Sequence, residues 1–495
     1  MVALTRRSFV AGTAAIPFAV WFERYARAAG PYVRYDARSA NGQAMLKSYA
    51  AAVGKMQTTA TIPEGSPQSW TFQWYSHFVK GSTTKAAELA RIYPSANPWK
   101  ALATAMWDNC QAHSGQPENY FLPWHRMFVY FFEQIIRNVG GNAYFTLPYW
   151  NYTVSGPTYA VIPPEFTKKG DPTFGPLYVD KRNTGVNAGN PIAPPGYLNL
   201  DSLKECIYEQ NGAVQGFCAN LDGTLHGRVH VRTGNTLNMG AVPWAAGDPV
   251  FWAHHCNIDR IWASWNAGGR KNPNDSTFLN KTFVFADGAG NKVVAKIKDF
   301  LDITTLGYSY DQLEPVPPCP TNKRSFLAAA LATVRTHAVL KKSVTLGAAP
   351  VHATLSLAPA AGASAGAAHE AFAQRLSKVA PDRSLYLVLK GLRANVQPGV
   401  LYDVYLQLPS GTTPDKAADH RVGTISFFDT GHGDHTVAGA GTAAKFVSFD
   451  VTDLVTKLAA DKLLATGKLD VTFAPLGHPE AAAKPSIGEI SIVEQ

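Results

Sequence analysis

The chain has 495 residues, 45 Lys and Arg against 36 Asp and Glu, and a formal net charge of +9. So mild and dispersed a surplus excludes the basic footprint of a nucleic-acid binder, and no run beyond the N-terminus approaches the roughly 18 apolar residues of a membrane span. A hydrophobic content of 46% with 11% aromatic residues suits a large buried core, and the length allows two or three domains.

The N-terminus reads Thr5-Arg6-Arg7-Ser8-Phe9-Val10, then an apolar run, then the small-x-small triplet Ala26-Arg27-Ala28. It resembles a twin-arginine export signal cleaved near Ala28, which would deliver an already folded protein to the periplasm or the exterior. Loss of residues 1–29 removes four Arg and one Glu and lowers the charge from +9 to +6. Apolar periodicity then predicts helices over 43–58, 125–139, 225–231 and 249–265. Pro, Gly and Asn crowd 157–200, which reads as irregular loop. Asp248 can cap the last of these helices, with Pro249 in its first turn.

A stiff segment, PVPPCPTNK at 315–323, ends this aromatic-rich part. Beyond it, alternating runs predict strands over 351–357, 384–389, 401–408, 421–428, 445–451, 468–473 and 487–493, an antiparallel sandwich or barrel. The Ala/Gly stretch 360–368 reads as a flexible loop. Five cysteines are too few for a disulfide scaffold, although Cys206 and Cys218 could close a small loop.

The histidines carry the chemical signal. Within the first 300 residues they are His77, His113, His125, His226, His230, His254 and His255. His226 and His230 are four apart, which places both rings on one helix face within reach of one ion. His254 and His255 are adjacent, so at most one can face a given centre, about 100° separating successive residues. Clustered imidazoles among aromatics, with few carboxylates nearby, suit copper or zinc rather than magnesium or calcium.

These segments resemble the type 3 copper proteins: tyrosinases, catechol oxidases and other polyphenol oxidases, with haemocyanins as relatives. The resemblance rests on SWTFQWYSHF around His77, FLPWHRMFVYFFE around His125, LPYWN at 147–151, DGTLHGRVHVRTG at 222–234 and DPVFWAHHCNIDRIW from Asp248. It implies a mainly α-helical catalytic domain, an antiparallel four-helix bundle around a dinuclear centre of two copper ions, followed by the antiparallel β-domain. Residue by residue, it implies a first copper held by His77, His113 and His125 and a second held by His226, His230 and His255, with His254 supporting. The surroundings of His113 match least tightly. Cys110, three residues before His113, is either a thioether partner of a ligand ring or a free buried thiol. Asp259 and Arg260 are expected to orient their helix.

The activity implied is O2-dependent oxidation of o-diphenols to o-quinones, extending to o-aminophenols and, more weakly, to monophenols. Asp222 stands where plant relatives carry a Glu near the second copper, Gly227 where some tyrosinases carry a water-orienting Asn, and Val242 where plant relatives place a gate Phe. The smaller Val242 implies a wider entrance. KFVSFDVTDLV at 445–455 and LGYSYD at 306–311 resemble parts of plant polyphenol oxidases whose C-terminal domain keeps the enzyme latent; the alternative is a β-domain that only mediates assembly or binds a partner. The resulting division is a signal over 1–29, a catalytic domain over 30–314, a linker over 315–345 and a shielding domain over 346–495. Partners implied are a phenolic substrate and O2, with neither nucleic acid nor membrane, and with room for a homo-oligomer and a copper chaperone. The rival readings are an oxygen carrier of haemocyanin type and a zinc hydrolase, the latter lacking an evident carboxylate base beyond Asp222 and Asp248.

Overall fold

The computed structural model describes residues 16–17, 32–111, 118–319, 334–357, 383–409, 411–413, 416–430, 445–464 and 468–495. Expectations for 1–15, 18–31, His113 and the 360–368 stretch lie outside them.

Helix α1, Ala40–Gln57, starts at Ser39, whose hydroxyl accepts a hydrogen bond from the Gly42 amide and so satisfies an end-group that has no partner within the helix. It turns Leu46, Tyr49, Ala50 and Val53 inward, the i, i+3, i+4, i+7 stripe of a core-facing helix. Helix α2 is Trp70–His77, capped by Ser69. Helix α3, Phe121–Gly140, is buried on every side from Phe121 to Ile136 and ends at Gly141, whose φ of 73° needs a residue without a Cβ. Helix α4, Gly227–Thr233, continues from Phe217–Leu221 through the π-helical turn Asp222–His226. Helix α5, Val250–Ala267, is buried throughout Val250–Trp265. Asp248 does meet the Val250 amide at 3.0 Å, but its carboxylate mainly pairs with Arg182 at 2.7 Å, both residues buried. α3 packs against both α1 and α5, so the helices that carry His125 and His255 share one apolar wall.

A charged knot ties these helices together. The wholly buried Arg34 donates to Glu133 of α3 and to Asp259 of α5, each at 3.0 Å. Arg126 of α3 also donates to Asp259, as do the Tyr308 and Tyr310 hydroxyls at 2.6 Å. Burial alone would raise the Asp259 pKa, but Arg126 and Arg34 outweigh it and hold the carboxyl below its ordinary value. Arg260 reaches Asn257 and Glu314 instead, so both residues orient the helix.

The second domain is an eight-stranded, wholly antiparallel sheet, nearly closed on itself. In chain order its strands are β1 Arg335–Leu340, β2 Val351–Leu357, β3 Leu385–Leu392, β4 Tyr402–Leu406, β5 Arg421–Ile425, β6 Lys445–Asp450, β7 Leu469–Pro475 and β8 Glu489–Glu494. They lie in the order β5-β4-β7-β2-β1-β8-β3-β6. Leu385, Leu387 and Leu389 alternate into its core with Val404, Val471 and Ile492.

Three expectations need correction. The linker expected over 315–345 contains β1, which sits mid-sheet between β2 and β8 because His337 and Ala338 are buried there. The strand expected over 421–428 stops at Ile425, and Ser426–Phe428 leave the sheet. Cys206 pairs with Cys319, not Cys218, since Cys218 is buried within its short helix. No helix among the described residues is long and apolar enough to cross a membrane.

Candidate metal centre

Two groups of potential ligands face each other between the helices. The first is His77 at the end of α2, His125 in the first turns of α3, and Cys110; the second is His226 and His230 beside His254 and His255 of α5. Within each group the ligand atoms lie within 4.8 Å of one another. The groups meet where the rings of His125 and His255 stack at 4.3 Å and 10°. Phe251 lies against both, 5.0 Å from His77 and 4.2 Å from His255. Five of the six expected ligand histidines are thus together.

The ring nitrogens show what such a cage is built to hold. His125 Nδ1 faces the Phe121 carbonyl at 2.8 Å, and His230 Nδ1 faces the Met239 carbonyl at 2.8 Å. A carbonyl can only accept, so each Nδ1 carries the proton and Nε2 presents its lone pair. His226 Nδ1 lies 2.9 Å from Asp222 Oδ1, with the same consequence. The wide Asp222–His226 turn sets that contact by adding a residue to the helical ring, a device frequent at functional sites.

Burial drives the His125 and His230 pKa values down to about 3 and those of His254 and His255 well below normal. Nε2 of His230 and both ring nitrogens of His255 have no hydrogen-bond partner among the described residues. Neutral, inward-facing imidazole lone pairs without partners are costly to bury unless a cation completes them.

Distances separate the neighbours His254 and His255. His254 Nδ1 lies 3.1 Å from the Tyr152 hydroxyl, and its ring flanks His226 and His230. His255 instead faces His125 across the two groups. Cys110 Sγ is 3.5 Å from His125 Nε2, and the thiol is buried and free.

The β-domain reaches into this site. Phe428 lies flat on His230, centroids 4.1 Å apart at 18°, and 5.6 Å from His226. It is buried in the catalytic core, apart from its own domain's core. Gly227 permits the approach, since a Cβ there would lie 3.1 Å from Ser426 Oγ. Around this plug, Arg228 donates to the Thr424 carbonyl at 2.8 Å, Tyr197 donates to Asp403 at 2.6 Å and Gln215 donates to the Phe446 carbonyl at 3.1 Å. Val242 is wholly buried in the catalytic core at the start of the helix Val242–Ala245. Sequence reasoning missed Phe428, Tyr152 and the Met239 carbonyl, none of which carries a local motif.

Fold and cage together bring two groups of potential metal ligands into one buried pocket that the β-domain covers. The common central domain of tyrosinase matches residues 67–194 and 180–268, the polyphenol oxidase middle domain matches 272–321, and a domain of unknown function matches 336–495. A tyrosinase of Hahella sp. (strain CCB-MM4) is 32% identical, covering 57% of this chain and 63% of its own length. Polyphenol oxidase A1 of Vicia faba is 29% identical, covering 47% of this chain and 45% of its own length. The chain therefore spans less than two thirds of these relatives. Latent apple tyrosinase shares the fold with a TM-score of 0.58 at 22% identity, covering 94% of this chain and 97% of that one. Latent aurone synthase does so at 0.60 and 20%, covering 94% and 89%.

Residues 67–268 thus match the central domain of tyrosinases and 272–321 the middle domain of polyphenol oxidases, and with these relatives they support a protein like the type 3 copper polyphenol oxidases. That family implies a dinuclear copper centre, and the neutral, Nε2-presenting rings of His125 and His230, with His255 facing them, fit it.

Proposed function

We propose that the chain is an exported polyphenol oxidase that converts o-diphenols to o-quinones with O2 and is held latent by its β-domain. The observation that carries the reading is the face-to-face pair His125–His255 between two ligand groups. His77, His113 and His125 would hold one copper, and His226, His230 and His255 the other. Two coppers held there would supply the two-electron, O2-linked redox chemistry that the organic substrate needs. The protein's own part is to fix ring tautomers through the Phe121 and Met239 carbonyls and Asp222, and to admit a flat phenol over His230.

Asp222 would do this while also presenting a carboxylate near the phenol's entry, where its shorter reach favours diphenols over monophenols. Gly227, beside His226, leaves that space open, and Val242 in place of a larger ring favours bulkier phenols and o-aminophenols. Phe428, flat on His230, would take the place of a substrate ring and so keep the enzyme latent. Residues 1–29 would direct export. An oxygen-carrier role is the weaker reading, because the relatives that match are named as oxidases.

The test is O2 uptake and quinone absorbance with catechol on copper-loaded protein, alongside His230→Ala and His255→Ala. Loss of copper and of quinone formation in both variants is expected; retention of both would overturn the reading.

A further inference from the structure

A cavity of about 330 Å3 opens on the far side of α3 from the histidines. Its walls include Tyr32, Tyr130, Tyr308, Glu133, Gln134 and Arg137. Gln134 is nine residues beyond His125, so this end of the helix lies about 14 Å along its axis from the metal groups. The cavity is therefore separate from the pocket under Phe428, and its volume is that of a small-ligand site.

Its lining selects for chemistry. The Arg137 guanidinium lies 3.7 Å over the Tyr32 ring, and the Arg34 guanidinium 3.9 Å over Tyr308. A cation on one face draws π density from a ring and leaves the other face suited to an electron-rich aromatic partner. Glu133, 1% exposed, gives the cavity a buried carboxylate able to accept an O–H. The charges are unequal: Arg34, Arg126 and Arg137 meet Glu133 and Asp259, which leaves one positive charge uncompensated within the network. Arg137 spends Nε on the Phe145 carbonyl and Nη2 on Glu133, and Nη1 has no partner among the described residues.

We infer that this cavity is a binding site for a hydroxylated aromatic carboxylate. The ring stacks on the tyrosines, a hydroxyl donates to Glu133, and the acid group meets Arg137. The site sits on α3 and, through Tyr308 and Asp259, against α5, the helices that carry His125 and His255. The inference does not rest on the copper reading, because it follows from the lining alone and is tested by binding.

The probes are 3,5-dihydroxybenzoate, whose meta hydroxyls cannot form an o-quinone, and its neutral counterpart 5-methylresorcinol, titrated calorimetrically into the copper-loaded full chain. One acid molecule should bind per chain, and the neutral compound about tenfold more weakly for want of the charge-assisted contact. Ala143 is an exposed wall residue, so Ala143→Trp should fill the cavity without disturbing the fold. It should weaken the acid at least about tenfold while leaving catechol oxidation unchanged. Unaltered affinity in A143W, equal binding of the two probes, or no saturation below about 10 mM would each overturn the inference.

Discussion

Phe428 stacks on His230 at 4.1 Å, yet the two residues belong to different domains: Phe428 comes from the β-domain chain but is buried in the catalytic core. On the proposed reading the contact would give the β-domain a specific task, since a ring that lies flat on the His230 imidazole prevents another flat ring from doing so.

Phe428→Ala should therefore raise catechol oxidation by the uncut protein by at least about tenfold, equivalent to about 1.4 kcal/mol of lost cover. The same substitution should destabilise the domain contact by about 3 kcal/mol, as truncation of a buried Phe does. Phe428→Trp should stay latent. Initial rates on the intact chain, with size checked before and after the assay, would decide. An unchanged rate in F428A would mean that the plug does not limit access.

Gly227 is tested by a paired substitution. Asn at this position would bring its Cβ to 3.1 Å from Ser426 Oγ and 3.3 Å from Ser426 Cβ, a crowding that costs about 1–3 kcal/mol. Gly227→Asn should loosen the plug and raise the basal rate, and adding Ser426→Gly should restore latency. Non-additivity of the two in the basal rate is the readout.

Much of this architecture was legible beforehand, and the reasons are physical. The ligand helices announce themselves because 3.6-residue periodicity and aromatic density coincide around His125 and His255. The seven strands expected in the β-domain follow from alternation. β1 was not legible because Arg335 and Thr336 at its start are exposed and its pairing with β8 joins residues some 150 positions apart. Phe428 was invisible for a similar reason: within SFFD it looks like the end of a strand, and only the three-dimensional approach of Ser426 to Gly227 shows that the chain has left the sheet. The Cys206–Cys319 bridge closes a separation of 113 residues, which spacing alone does not favour over the nearby Cys218.

The buried knot should dominate stability. Asp259 accepts from Arg34, Arg126, Tyr308 and Tyr310, so Asp259→Ala strands two buried cations. Loss of about 3–5 kcal/mol is expected, measured by denaturant unfolding, with Asp259→Asn intermediate. A loss below about 1 kcal/mol would show that the two arginines find other partners.

Acid should weaken the metal-free fold through its histidines. His125 and His230 titrate near 3 when folded, against about 6.5 when unfolded, so the unfolded chain binds more protons between those values. Stability is therefore complete above about pH 6.5 and falls as pH drops toward 3, by roughly 1 kcal/mol per pH unit for each histidine. Thermal unfolding of copper-free protein from pH 7 to 4 should show this slope. Replacing His230 by Gln should reduce the slope, whereas an unaltered slope would assign the effect to other groups.

Asp222 separates an orienting role from a merely charged one. Its Oδ1 sits 2.9 Å from His226 Nδ1, so it fixes which nitrogen of His226 faces the metal pocket. Asn keeps an acceptor oxygen at that position, whereas Leu removes it and leaves a buried N–H with no acceptor. Asp222→Asn should hold copper nearly as the parent does, and Asp222→Leu should bind it about 10- to 100-fold more weakly, the usual cost of losing a group that orients a metal-bound imidazole. Competition with a copper chelator measures this without reference to turnover. If Asn and Leu weaken copper binding equally, the carboxylate acts through its charge, and the hydrogen bond to His226 is incidental.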